Sequence, residues 1–425
     1  MILRRWLLAA ALAGLTAAHA APLVVPARID AALSAMVKRG ELVGVAALVY
    51  EGGREAYFGA FGQADREAGR AMARDVLMQI HSMTKPITGV ALMQLHEQGR
   101  FDLDDPVAKY LPEFANLRVW VGEGADGQPV TEPAARAITI RDLGRHTTGI
   151  ASGFGIPPAL ERHNNAHYQG IGLASDLSEL VARTASAPLV AHPGRRWTYD
   201  LATNVQARLV EKLSGQRFED YLHDHLFKPM GMASTRFHVA RDAADRARFA
   251  PAYARDANGR LQRIPDAQSH AYNDSDWKLK TGTTGLVSTL DDYMTFARML
   301  LDGGVAPNGQ RVLKTATVKL MATDALPPEL ADRSWLPSKG NVGFGINFGV
   351  RVGPPRNSGE YSGAPGEFFW DGAANTLFWV DPKHGIAAVL FTQLYPPGDG
   401  KLNRAFRDAV YADDTEAFAG NKPAP

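Results

Sequence analysis

Ser82 and Lys85 stand three residues apart in His81-Ser82-Met83-Thr84-Lys85-Pro86-Ile87, an S-x-x-K element that opens an apolar run. With Ser82 at a helix start, this spacing puts both side chains on one face, one turn apart. A serine hydroxyl is a poor nucleophile until a neighbouring base takes its proton, and a desolvated lysine amine is such a base. A helix start also presents backbone N–H groups to an oxygen that gains negative charge. Ile87, Val90, Ala91 and Leu95 have helical spacing and stop at Gly99; Pro86 falls in the first turn, where its missing N–H costs little. The chemistry on offer is acyl transfer through a covalent serine intermediate.

Tyr199 is a partner for that proton transfer. The Pro193-Gly194 turn and the aromatic segment Trp197-Thr198-Tyr199 lead into a helix around Asn204. A phenol beside an ammonium has its pKa lowered and can share a proton with Lys85. A lone tyrosine next to a tryptophan more often packs than catalyses, so residue type alone does not assign the role. Lys280-Thr281-Gly282 reads literally as K-T-G, with Ser275-Asp276-Trp277-Lys278 and Tyr272-Asn273 just upstream. Motifs packed so closely cannot form the separated walls of one site, and the cluster reads as loop.

These residues need a scaffold. Residues 43–50 and 55–61 are β-rich and flank Glu51-Gly52-Gly53-Arg54; residues 376–380 and 386–392 flank Asp381-Pro382-Lys383-His384-Gly385. Two hairpins so far apart predict one antiparallel sheet built from both chain ends, with the helix after Ser82 packed on it. Helical patterns at 204–213, 218–226 and 291–301 fill the middle, and residues 121–137 and 326–340 read as long loops. The expected organisation is a discontinuous α/β domain at 21–115 and 280–412, a mostly helical domain at 116–279, and a flexible tail at 413–425.

The 425 residues suggest two or three folding units, and 45% apolar with 21% charged residues is ordinary for a soluble protein. Lys plus Arg number 46 against 45 Asp plus Glu, which gives no electrostatic footprint for nucleic acid. The absence of cysteine removes disulfides, thiolate metal sites and cysteine nucleophiles together. Arg4-Arg5, the apolar stretch 6–15 and Ala18-His19-Ala20 read as a secretory signal, so residues 1–20 are expected to be removed on export to the periplasm or medium. The apolar run is shorter than the ~20 residues a membrane span needs, so no stable insertion is expected after the signal is lost.

Ser82-Met83-Thr84-Lys85-Pro86-Ile87-Thr88, Leu103-Asp104-Asp105-Pro106-Val107 and Tyr110-Leu111-Pro112-Glu113-Phe114 resemble the serine β-lactamase-related esterases, the family VIII carboxylesterases. These are close to class C β-lactamases and D-alanyl-D-alanine carboxypeptidases. The likeness continues through His146-Thr147-Thr148-Gly149, Pro193-Gly194 to Tyr199, Gly285-Leu286-Val287-Ser288-Thr289 and Trp370-Asp371-Gly372. It implies a β-lactamase/transpeptidase-like α/β (α+β) fold, an antiparallel sheet flanked by helices with an inserted helical domain. It also implies Ser82 as nucleophile, Lys85 as proton acceptor, and Tyr199 as general base and acid. Trp370-Asp371-Gly372 matches the esterase W-x-G triplet beside the serine, so Trp370, Asp371 and Gly372 are expected to contact substrate. The backbone N–H groups of Ser82 and Ala373 are expected to form the oxyanion hole. The substrate is then a small-molecule ester, and no metal or organic cofactor is needed.

Two departures bear on specificity. Leu201 stands where a lactamase-type Y-x-N has asparagine, and Asp371 replaces the usual small residue of the third triplet. The missing Lys and Thr of K-T-G are expected to weaken recognition of anions such as penicillins and the Asp371 carboxylate to repel them, favouring uncharged esters with short to medium acyl chains. A β-lactamase, a D-amino-acid peptidase, an acyltransferase and an inactive wall-binding module are the alternatives. His163 and His167, four apart without a carboxylate motif, read as surface; His146 reads as ordering its turn; Trp197, Trp277 and Trp335 read as packing.

Overall fold

The computed structural model describes residues 21–150, 155–167, 175–240, 244–274, 276–333, 335–396 and 398–422. Residues 1–20, read above as an export signal, lie outside them, as does Ser275.

Eight strands form one sheet: β1 (Gly44–Glu51), β2 (Arg54–Asp65), β3 (Arg70–Ala71), β4 (Val342–Phe344), β5 (Gly349–Arg351), β6 (Phe368–Asp371), β7 (Leu377–Asp381) and β8 (Ile386–Phe391). Their order is β4-β5-β6-β7-β8-β1-β2-β3. The chain ends join at an antiparallel β1–β8 pairing, with Ala46 opposite Phe391 and Tyr50 opposite Ala387. Every residue of β8 is buried, because helices cover both sheet faces. Neighbours on β7 show this: Phe378 meets Tyr293 at 5.1 Å between ring centroids, while Trp379 meets Phe406 at 5.0 Å and donates to the Tyr411 hydroxyl at 3.0 Å. Tyr293 lies on a helix at Leu290–Leu301; Phe406 and Tyr411 lie on one at Lys401–Tyr411, against which the first helix, Pro26–Lys38, packs.

The helix after Ser82, Thr84–Glu97, differs from expectation. Its main partner is the helix Ala202–Ser214, and Tyr293 ties it to the sheet layer by donating to the Met83 carbonyl at 2.9 Å. Thr84 through Met93 are all buried, so over this stretch no face is left for solvent. Residues 121–137 are also more ordered than their proline and charge suggest. Arg118–Glu123 pairs with Pro129–Pro133, and the connection turns at Asp126-Gly127, where the Asp126 side chain accepts from the Gln128 N–H at 3.0 Å.

The expected flexible tail is packed over its described part. Asp414 accepts from the N–H groups of Glu416 and Ala417 at 2.8 and 2.9 Å, and Ser362 accepts from the Ala419 N–H at 2.9 Å. Ala417 and Ala419 are buried; such small side chains leave no apolar periodicity to read in sequence. Residues 423–425 lie outside the described residues. Among the described residues no helix is long and apolar enough to cross a membrane.

Candidate active site

The chain enters the site through Ile80, whose N–H donates to the Leu286 carbonyl at 3.0 Å. His81 follows with φ of 45°, an uncommon conformation for a side-chain-bearing residue, and the backbone reverses into a single 3-10 turn, His81–Met83. Ser82 therefore sits in this turn, with the α-helix beginning at Thr84 rather than at the serine. Residues three apart are nearly eclipsed in such a turn, which keeps Lys85 over Ser82. The Lys85 Nζ lies 3.3 Å from Ser82 Oγ and donates to the Thr283 carbonyl at 3.2 Å.

Lys85 is 4% exposed. Burial disfavours its charged form and pushes its pKa down to about 7, against the opposing pull of Asp200 and Asp371. Burial and the nearby Lys85 likewise push His81 down to about 4. The helix carrying Lys85 is fixed from outside: Asn347 donates to the Lys85 carbonyl at 2.9 Å and to Gln206 at 2.8 Å. This approach requires Gly89, where a Cβ would fall 2.6 Å from the Asn347 amide nitrogen.

The literal K-T-G contributes differently from its letter. Lys280 donates to the Trp277 carbonyl and lines a separate cleft with Arg217 and His238. The backbone after it is what matters: Gly282 accepts from Thr88 at 2.9 Å, and Asn204 accepts from the Thr283 N–H at 3.1 Å, aiming the Thr283 carbonyl at Lys85.

Tyr199 is pinned on both sides. The Trp197 N–H donates to Asp332 at 2.8 Å and the Thr198 N–H donates to the His146 carbonyl at 3.0 Å. Asp200, buried, accepts from His146 at 2.9 Å, Thr148 at 2.6 Å and the Ala202 N–H at 2.8 Å. His146 thus does order its turn, and it also locks the residue after Tyr199. The Tyr199 hydroxyl hydrogen-bonds Ser82 and accepts from the Trp370 indole at 3.2 Å; its ring centroid lies 4.5 Å from the Lys85 ammonium. The expected lowering of its pKa is reversed. Desolvation raises it well above the usual phenol range, outweighing the hydrogen bonds from Ser82 and Trp370, with Asp371 and Asp200 adding to the rise. Lysine carries the depressed pKa of the pair.

The third wall is the end of β6. Trp370 is buried, and Gly372 lets the strand end meet the nucleophile's turn: a Cβ there would sit 2.5 Å from the Ile80 carbonyl oxygen. Asp371, expected to repel anions, does not stand as a lone charge. It pairs with Lys339, whose ammonium lies 5.1 Å from the ring centroids of both Trp335 and Trp370. A cavity of about 850 Å³ opens over Ser82 and Tyr199, running past Asp371, Gly372 and Ala373 to Tyr361 and Leu402.

Sequence reasoning missed Asn347, Asp200, Thr283 and Lys339. Trp335 lines the cavity rather than only packing, Trp197 is fully buried, and Trp277 lines the separate cleft. His163 and His167 face each other at 3.1 Å, and no group of three or more His, Asp or Glu among the described residues could hold a metal.

The family model described as Beta-lactamase matches residues 29–412. Esterase EstB of Burkholderia gladioli is 31% identical over 414 residues, covering 91% of this chain and 95% of the relative. Monacolin J acid methylbutanoyltransferase of Aspergillus terreus is 28% identical over 356 residues, covering 80% and 82%. The solved structure of EstCE1, a hydrolase with promiscuous acyltransferase activity, superposes with a TM-score of 0.74 at 25% identity, covering 91% of this chain and 98% of the other. With a serine and a buried lysine at hydrogen-bonding distance on that scaffold, the chain belongs to the β-lactamase family and is a serine hydrolase.

Proposed function

We propose that the protein hydrolyses uncharged carboxylic esters through an acyl-enzyme on Ser82. The observation that carries this reading is the Lys85 amine, 3.3 Å from Ser82 Oγ, with a pKa brought down to about 7 by burial. Near neutral pH much of it is free base and can take the Ser82 proton as Oγ bonds to the ester carbonyl carbon. The Tyr199 phenol, held protonated by desolvation, donates to the departing alkoxide and is reprotonated by the Lys85 ammonium. Water then attacks the acyl-enzyme by the same path in reverse. The oxyanion is assigned to the N–H groups of Ser82 and Ala373, both residues lining the same cavity. Removing one such donor typically costs about 2.7–4 kcal/mol of barrier stabilisation.

Asp371 does not act as a free negative charge, because Lys339 balances it. The preference for neutral esters rests instead on a cavity wall whose charges, Lys339 and Asp371, are already paired and whose surface is otherwise largely apolar. Acyl transfer to an alcohol is the second reading, favoured by a cavity of about 850 Å³, far larger than a short acyl chain, and by the acyltransferases among the relatives. Residues 1–20 are read as directing export, which the mass of the mature N-terminus checks.

Fluorophosphonate labelling followed by peptide mass spectrometry tests the acyl-enzyme. The adduct is expected on Ser82, alongside turnover of p-nitrophenyl butyrate. Label on another serine, or a cephalosporin turned over as fast as the butyrate, defeats the reading.

A further inference from the structure

Lys339 ends the 3-10 turn Leu336–Lys339, inside a proline-rich stretch that reads in sequence as a loop. Its side chain is 9% exposed, lines the cavity and pairs with Asp371. Its ammonium lies 5.1 Å from the Trp335 centroid and 5.1 Å from that of Trp370, beside a ring pair whose own centroids are 6.1 Å apart. A desolvated cation held over indole faces is a strong positional restraint on those rings. Trp370 in turn donates to the Tyr199 hydroxyl at 3.2 Å. One cation therefore faces both the ring that donates to the phenol and the carboxylate on the cavity wall.

We propose that Lys339 is a positioning residue for proton transfer: it clamps the Trp370 indole that orients Tyr199 and balances the charge of Asp371. Of the two carboxylates that act on Lys85 and Tyr199, Asp200 is locked by His146 and Thr148, and Asp371 is offset by this cation. This rests on the acyl-enzyme reading above. The groups facing Lys85 come from every side of the site: Ser82 and His81 from its own turn, Tyr199 and Asp200 from the loop before Ala202, the Thr283 carbonyl, and Asp371 from β6. Asp371 is the one whose charge Lys339 balances directly. Loss of the cation leaves Asp371 holding the proton on Lys85 more tightly; loss of the carboxylate leaves an uncancelled positive charge with the opposite effect.

The test is the pH profile of kcat/KM for p-nitrophenyl butyrate in wild type, Lys339→Met, Asp371→Asn, the double variant and Lys339→Arg. The acid limb is expected to move up by about half a pH unit in Lys339→Met and down by a similar amount in Asp371→Asn. The double variant should return toward wild type, and Lys339→Arg should keep the wild-type limb. A role in folding alone would move stability without opposite shifts. Limbs that coincide with wild type, or that move in the same direction in both single variants, overturn the proposal. If Lys339→Met does not fold, Asp371→Asn decides alone, and an unmoved limb there is fatal. Equal activity of Ser82→Ala and wild type would instead sink the acyl-enzyme reading itself. A Ser82-dependent enzyme with unmoved limbs sinks only the role of Lys339.

Discussion

The side-chain amide of Asn347 donates to the backbone carbonyl of Lys85 at 2.9 Å, bridging 262 positions of sequence. The helix bearing the base is thereby held in place by a loop of the C-terminal half, and Gly89 is the concession that lets the two meet.

Gly89→Ala is expected to push Asn347 off that carbonyl. Overpacking of this kind costs about 1–3 kcal/mol, and the shifted helix should lower kcat as well. Thermal unfolding and steady-state kinetics check it together. A variant unchanged in both Tm and kcat would show that the contact does not constrain the base.

Ser82→Ala, Lys85→Ala and Tyr199→Phe should each reduce kcat on the order of 10³-fold or more, and the triple variant should be little worse than the worst single one. The reason is that one proton path runs through all three. Near-normal kcat in Tyr199→Phe would remove the phenol from that path.

Because burial lowers the Lys85 pKa to about 7 and the neutral amine is the base, kcat/KM should rise with pH through about 7 and then level off. A profile measured from pH 5 to 9 shows this directly. A limb that centres near the ordinary lysine value of 10.5 would mean the amine is not desolvated as described.

The same burial has a stability cost with a definite sign. Between about 7 and 10.5 the unfolded chain holds the Lys85 proton and the folded protein does not, so this group makes stability rise with pH across that window. Below it both states are protonated and the full cost of a buried ammonium remains. Lys85→Met should therefore stabilise the fold while abolishing turnover, by on the order of 1–4 kcal/mol at pH 6 and less near pH 10. A lower Tm for the variant at pH 6 would contradict this.

Much of the site was legible because its side chains carry chemical signatures at fixed spacing. Ser82 and Lys85 need only one local turn, and β-rich runs flanking turn residues at each end announce the hairpins that join as β1 and β8. What could not be read is what depends on proximity alone. The Thr283 acceptor is a backbone carbonyl, identical in every residue. Lys339 is a single lysine among prolines until Asp371 and two indoles are placed around it. The direction of the Tyr199 shift follows from how far its hydroxyl is desolvated, whereas sequence shows only that an ammonium is near.

The pairing of Ala46 with Phe391 has a consequence for how the molecule comes into being. The first hairpin is synthesised long before its neighbour exists, and one of its edges stays bare until nearly the whole polypeptide has been made. Long-range closure of this kind is slow. The close approach of Gly372 to the serine's turn can therefore form only once the last strands are made and docked.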